Sequence, residues 1–111
     1  MQAYELARLL DERRAGGRPY LEFLRAPSLS LGLYSLPAGG LDPQQPHTED
    51  EVYLVVNGRV QILVGAEDRA LEPGAVIFVP AQVEHRFHSI TQDLDLLVFF
   101  APAEGTADNR R

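Results

Sequence analysis

The chain of 111 residues contains no cysteine, no lysine and no tryptophan. Without cysteine there is no disulfide, no thiolate nucleophile and no cysteine-type zinc site. Without lysine there is neither a Schiff-base lysine nor a P-loop lysine. All ten basic residues are arginine, which we read as compositional bias. Long apolar runs are also missing. The longest, Leu96 to Ala101, falls far short of the roughly 20 residues of a membrane-spanning helix. No basic stretch followed by an apolar one opens the chain, so a cytoplasmic protein without a membrane partner is expected. Positive charge is scarce: ten arginines face sixteen acids, for a net charge of −6. That balance excludes a sequence-independent nucleic-acid binder, which neutralises phosphates with basic side chains. Ser28, Ser30, Ser35 and Ser89 sit in no Gly-x-Ser-x-Gly setting, which argues against a serine hydrolase.

What is present is enough for one domain with a real core. Tyr4, Leu6, Ala7, Leu9 and Leu10 leave Glu5, Arg8 and Glu12 on the other face, the pattern of a short amphipathic helix ended by Gly16-Gly17. After Pro19 the chain reads as short strands between Gly/Pro turns: 20–25, 29–36, 51–56, 59–64, 70–71, 75–79, 83–90 and 93–100. Asn57-Gly58 is the strongest hairpin signal among them. We divide the chain into an N-terminal helical segment (1–18), a β-barrel (19–102) and a flexible tail (103–111). The fold class expected is all-β, an antiparallel sandwich or barrel with a short N-terminal helix.

The acids cluster in Asp42 to Glu51, with no base between Leu41 and Gly58. Such a cluster is either a solvated loop or a cation site. His47 stands inside it, flanked by Gln45, Glu49, Asp50 and Glu51. Pro46 keeps this stretch out of a helix. In extended chain Gln45 and His47 share a face. On a straight strand His47 and Glu51 would lie some 13 Å apart, so they meet only if Thr48-Glu49-Asp50 turns. Only two further histidines exist, His85 and His88. They have opposite strand parity, so His88 is expected to face away from whatever His85 faces. Glu49 is expected in solvent, and is the substitute ligand if Glu51 points away. Arg59 is expected to be exposed. Tyr34, Tyr53, Phe78, Phe87 and Phe99 are expected as core.

Gly39, five residues, Gln45-Pro46-His47, three residues, Glu51, six residues and Gly58 resemble the first motif of the cupin superfamily. Gly74, five residues, Pro80 and then His85 resemble the second. Together these motifs span 39–89. The resemblance implies a small single-domain cupin, an antiparallel jelly-roll barrel that brings His85 across to His47. It implies a divalent metal held by His47, Glu51 and His85, with Gln45, in place of the family's first histidine, as a weak neutral fourth ligand. Two imidazoles and one carboxylate suit Fe, and also Mn, Ni or Zn. Two further departures are Gln82, where the second motif often has glycine, and Ser89, where it often has asparagine.

The function implied is a metal-dependent enzyme on a small oxygen-chelating substrate, of dioxygenase, isomerase or decarboxylase type. The alternative is a non-catalytic small-molecule binding or sensing module, with or without metal. A homodimer is expected, because the strand Tyr20-Leu21-Glu22-Phe23-Leu24 would otherwise leave an apolar barrel edge uncovered.

Overall fold

The structure is a computed structural model and describes residues 1–44 and 46–106. One helix precedes six strands: α1 (Leu6–Gly16), β1 (Tyr20–Ala26), β2 (Leu29–Leu36), β3 (Asp50–Val64), β4 (Glu67–Leu71), β5 (Val76–Val79) and β6 (His85–Ala101). Every pairing is antiparallel, in the order β1-β2-β6-β3-β4, with β5 also on β3. Among the described residues no helix is long and apolar enough to cross a membrane. The helix stops where expected, at Gly17, whose φ of 73° takes the left-handed conformation open to glycine. Only Leu9 of the helix is buried, and Tyr4 and Leu6 stay exposed beside β1.

The Asn57-Gly58 hairpin does not form. The two strands expected around it are one strand, β3, that bends through irregularities between Val55 and Gln61 while staying paired with β6. Gly58 is needed there for close approach, not for a reversal. At its φ of 105° a Cβ would lie 2.5 Å from the Asp93 carbonyl oxygen and 2.8 Å from Leu94 Cα. Asn57 instead donates its amide to Asp95 Oδ2 at 3.0 Å. The strands expected at 83–90 and 93–100 are likewise one bent strand, β6.

The bends change which residues face inward. Along β3 the buried positions are Glu51, Tyr53 and Val55, then Gly58, Val60 and Ile62. Along β6 they are His85 and Phe87, then Ile90, Leu94, Leu96, Val98 and Phe100. Each long strand therefore serves two parts of the barrel wall and fills the core from both. Of the aromatics expected inside, Tyr34, Tyr53 and Phe87 are buried, Phe99 is half-buried and Phe78 is exposed. Phe78 lies on the outer face of β5, and Phe100 takes the inward place on β6 instead of Phe99.

The expected tail is partly seated. Ala103 is fully buried. Glu104 donates its N–H to Ser30 Oγ at 3.0 Å and accepts from Arg25 Nη2 at 2.6 Å through its carbonyl. Residues 107–111 of that tail lie outside the described residues.

Candidate metal centre

His47 lies in the loop before β3, and His85 opens β6. The chain bends at Thr48-Glu49 before β3 begins at Asp50, which supplies the turn that His47 and Glu51 require. The loop before β6 is tied to this bend. Gln82 N–H donates to the His47 carbonyl at 2.8 Å, and Ala81 N–H donates to Asp50 Oδ1 at 2.8 Å. His47 and His85 therefore face one another although 38 positions separate them, with ring centroids 5.8 Å apart.

One ligand atom from each of His47, Glu51 and His85 lies within 4.8 Å of the others. His47 Nδ1 is 2.8 Å and His85 Nε2 is 3.1 Å from Glu51 Oε1. Glu51 and His85 are buried, and His47 is half-buried. His47 Nδ1 and both Glu51 oxygens are buried and make no hydrogen bond, although His47 Nδ1 and His85 Nε2 stand close to Glu51 Oε1. Buried polar atoms are rarely left so. A cation among them would satisfy all three, so the donor set fits a metal ion. His85 Nδ1 lies 2.9 Å from the Val83 carbonyl; donating there leaves Nε2 as the inward donor.

The electrostatics of the metal-free cluster are those of a charge set. Burial alone would lower the His47 pKa, but contacts with Glu104 and Glu51 outweigh it and raise it to about 10. Burial alone would raise Glu51, but His47, His85 and the nearby Tyr53 outweigh it and bring it down to about 2. His85 is raised too, with Glu51 outweighing its burial.

The other sequence candidates separate clearly. Gln45 lies outside the described residues. His88 faces away, as its parity required, and contacts Asp68 Oδ1 at 2.8 Å. Arg59 is exposed and pairs with Glu72 at 2.9 Å. Glu49 departs from expectation: it is buried, at 2% exposure, and accepts from the Thr48 hydroxyl. It lies inside the bend, where the chain has not yet taken up strand alternation. Glu51 points into the site, so no substitute ligand is needed.

The sequence reading missed two residues at the site. Glu104 Oε2 lies 3.4 Å from His47 Nε2, on the ring nitrogen turned away from Glu51. No local motif marks it, because it arrives from the other end of the chain. The Tyr53 hydroxyl lies 3.0 Å from His85 Nε2. Its signal was available, since it follows Glu51 by two positions and shares its face. A cavity of about 390 Å³ opens beside His85, lined by Gln44, Pro46, Leu63, Gly65, Glu84 and Arg86.

Gln82 and Ser89, the two departures within the second motif, carry φ values of 69° and 52°. Glycine tolerates that region freely and asparagine better than most residues, so the substitutions leave local strain in the loop and bend flanking His85.

Known proteins resemble the chain along most of its length. Residues 32–101 match the family model for the cupin domain. An uncharacterized protein of Streptomyces coelicolor is 50% identical over 104 residues, covering 94% of this chain and 99% of its own. An RmlC-like cupin from Shewanella frigidimarina superposes with a TM-score of 0.69 at 23% identity, over 76% of this chain and 75% of the other. A salicylate 1,2-dioxygenase mutant from Pseudoaminobacter salicylatoxidans gives 0.73 at 20% identity, over 88% of this chain but 34% of the larger enzyme. At these identities the two structures speak for the fold, and the matched family model, which covers more than half of the chain, decides the assignment: the chain belongs to the cupin family.

Proposed function

We propose that this cupin binds one divalent ion, Fe, Mn, Ni or Zn, through His47, Glu51 and His85, and acts with it as an enzyme on a small oxygen-chelating substrate. The reaction class we infer is dioxygenase, isomerase or decarboxylase. The observation that supports this reading is the convergence of His47, Glu51 and His85, with His47 Nδ1 and both Glu51 oxygens buried and unbonded. When bound, the ion supplies Lewis-acid polarisation of a carbonyl or enol or, as iron, a site for oxygen.

The chain's own residues do the rest. Glu51 brings one negative charge and the ligating imidazoles none, so the ion with its three ligands keeps a net charge near +1, and the Glu104 carboxylate beside His47 offsets it at that edge of the site. Val83 keeps the His85 ring turned with Nε2 inward. Glu104 holds the outer nitrogen of His47. The cavity beside His85 has the volume of a small-molecule site. The dioxygenase built on the same fold fits this reaction class.

The test is metal analysis of the purified protein, followed by oxygen uptake on small 1,3-dicarbonyl and phenolic compounds. One ion per chain and turnover of a member of either class are expected. A chelator should lower the melting temperature by about 10 °C without unfolding the protein at room temperature, since an ion at one hundred times its dissociation constant adds about 2.7 kcal/mol. Ligand-induced stabilisation without turnover would make the protein a binding or sensing module. Identical melting curves for loaded and stripped protein would remove the metal from its function.

A further inference from the structure

We infer that Tyr53 is the fourth protein ligand of the metal centre, its oxygen turned toward the ion by a hydrogen-bond chain whose direction starts at Asp42. This rests on the metal reading above. Tyr53 is fully buried on the inward face of β3, two residues past Glu51. Its ring packs edge-to-face on Phe87 with centroids 5.0 Å apart, so the phenol is held in place.

The direction of the chain follows from what each group is able to give. An ionised carboxylate only accepts. Asp42 Oδ1 accepts from the Tyr34 hydroxyl at 2.7 Å, and Oδ2 accepts from the Phe87 N–H and from Gln44 Nε2, both at 2.8 Å. With its amide nitrogen committed to Asp42, Gln44 presents Oε1 to Tyr53 at 3.1 Å. An amide oxygen also only accepts, so Tyr53 donates its single proton there. Only lone pairs remain on the phenol oxygen to face His85 Nε2 at 3.0 Å.

His85 Nε2 is itself a lone-pair donor when Nδ1–H is given to Val83. Glu51 Oε1 stands 3.1 Å from the same nitrogen. Three electron-rich atoms thus converge, and three acceptors do not rest together without a positive charge among them. In the site proposed here the ion fills that place. A divalent ion takes Tyr53 as a neutral phenol that still donates to Gln44. Ferric iron takes it as tyrosinate, and the phenolic proton leaves to water.

Tyr53→Phe tests this, because it keeps the ring and removes only the oxygen. Wild-type protein loaded with Fe(II) and oxidised in air should show the visible tyrosinate-to-iron charge-transfer absorption, and Tyr53→Phe should lack it. Zn(II) affinity, measured by competition with a chromophoric chelator, should fall tenfold or more in Tyr53→Phe. Gln44→Leu keeps the oxygen but frees its orientation, so the absorption should persist while affinity falls about 10–100-fold. Metal-free melting curves establish that both variants fold. Wild-type protein that holds iron stoichiometrically without the absorption overturns the Tyr53 assignment and leaves the His47-Glu51-His85 site standing. Equal Zn(II) affinity in Tyr53→Phe does the same. Wild-type protein that takes up neither metal overturns the metal reading and this inference together.

Discussion

Metal uptake by this chain should expel protons even in mildly alkaline solution. In the metal-free protein His47 has one ring nitrogen 2.8 Å from Glu51 and the other 3.4 Å from Glu104, and its pKa stands at about 10. At pH 8 such an imidazole is about 99% protonated, whereas an unperturbed one near 6.5 is about 3% protonated. Ligation needs the neutral ring. Each ion should therefore displace about one proton from His47 at pH 8, and more if His85, raised in the same direction, also carries one. Affinity should tighten about tenfold per pH unit from 7 to 9 for each proton displaced. Titration calorimetry with Zn(II) at pH 8, in buffers of different ionisation enthalpy, reads the proton count as the slope of observed heat against buffer heat. A slope of one or more is expected. A slope near zero, with affinity independent of pH, would mean that His47 holds no proton and is not placed between the two carboxylates.

The metal-free protein should respond to pH in the opposite sense. His47, raised, stabilises fully below its unfolded value near 6.5 and loses that contribution as pH climbs through 10; Glu51, lowered, stabilises fully above about 4.5 and loses it as pH falls through 2. Melting of stripped protein should peak between about pH 4.5 and 6.5, and a maximum above pH 8 would contradict the charge set. His47→Ala and His85→Ala should each abolish stoichiometric metal, whereas His88→Ala, on the outer face with Asp68, should leave it intact by elemental analysis. Gln82→Gly should raise the melting point by a few degrees, since an exposed non-glycine residue at φ 69° carries a cost of about 1 kcal/mol that glycine relieves in part. We also propose a homodimer through β1, an edge strand beside the exposed Tyr4 and Leu6; sedimentation giving a 12.3 kDa monomer at micromolar concentration would refute it.

Much of this was legible in the residues. Alternation, turn chemistry and the two spaced motifs led to the barrel, and the bend at Thr48-Glu49 had to exist for His47 to meet Glu51. The places where sequence reasoning failed share a cause. Asn57-Gly58 has the local chemistry of a reversal, but Gly58 is required by the nearness of β6, which no local pattern contains. The same limit hid Glu104, which reaches His47 only because Ala103 is buried and Arg25 and Ser30 hold its backbone. Glu49 is expected in solvent because it lies in a polar turn, yet the bend carries its side chain inside, where it accepts from the Thr48 hydroxyl. Tyr53 reads in the sequence as an aromatic of the core, and only the fold sets its hydroxyl beside His85.

The long ladder between β3 and β6 has a kinetic consequence. It joins Asp50 to Ala101 and Val64 to His85, residues far apart along the chain, and these two strands carry Glu51 and His85. Pairings of this kind form slowly, because closure entropy is lost before contacts repay it. The donors should therefore meet only as this slow ladder closes, too late for an ion to template it. Metal added to refolding protein should leave the folding rate nearly unchanged and act almost entirely by slowing unfolding. A barrel of this design should close without an ion, and one bound afterwards should lengthen its life.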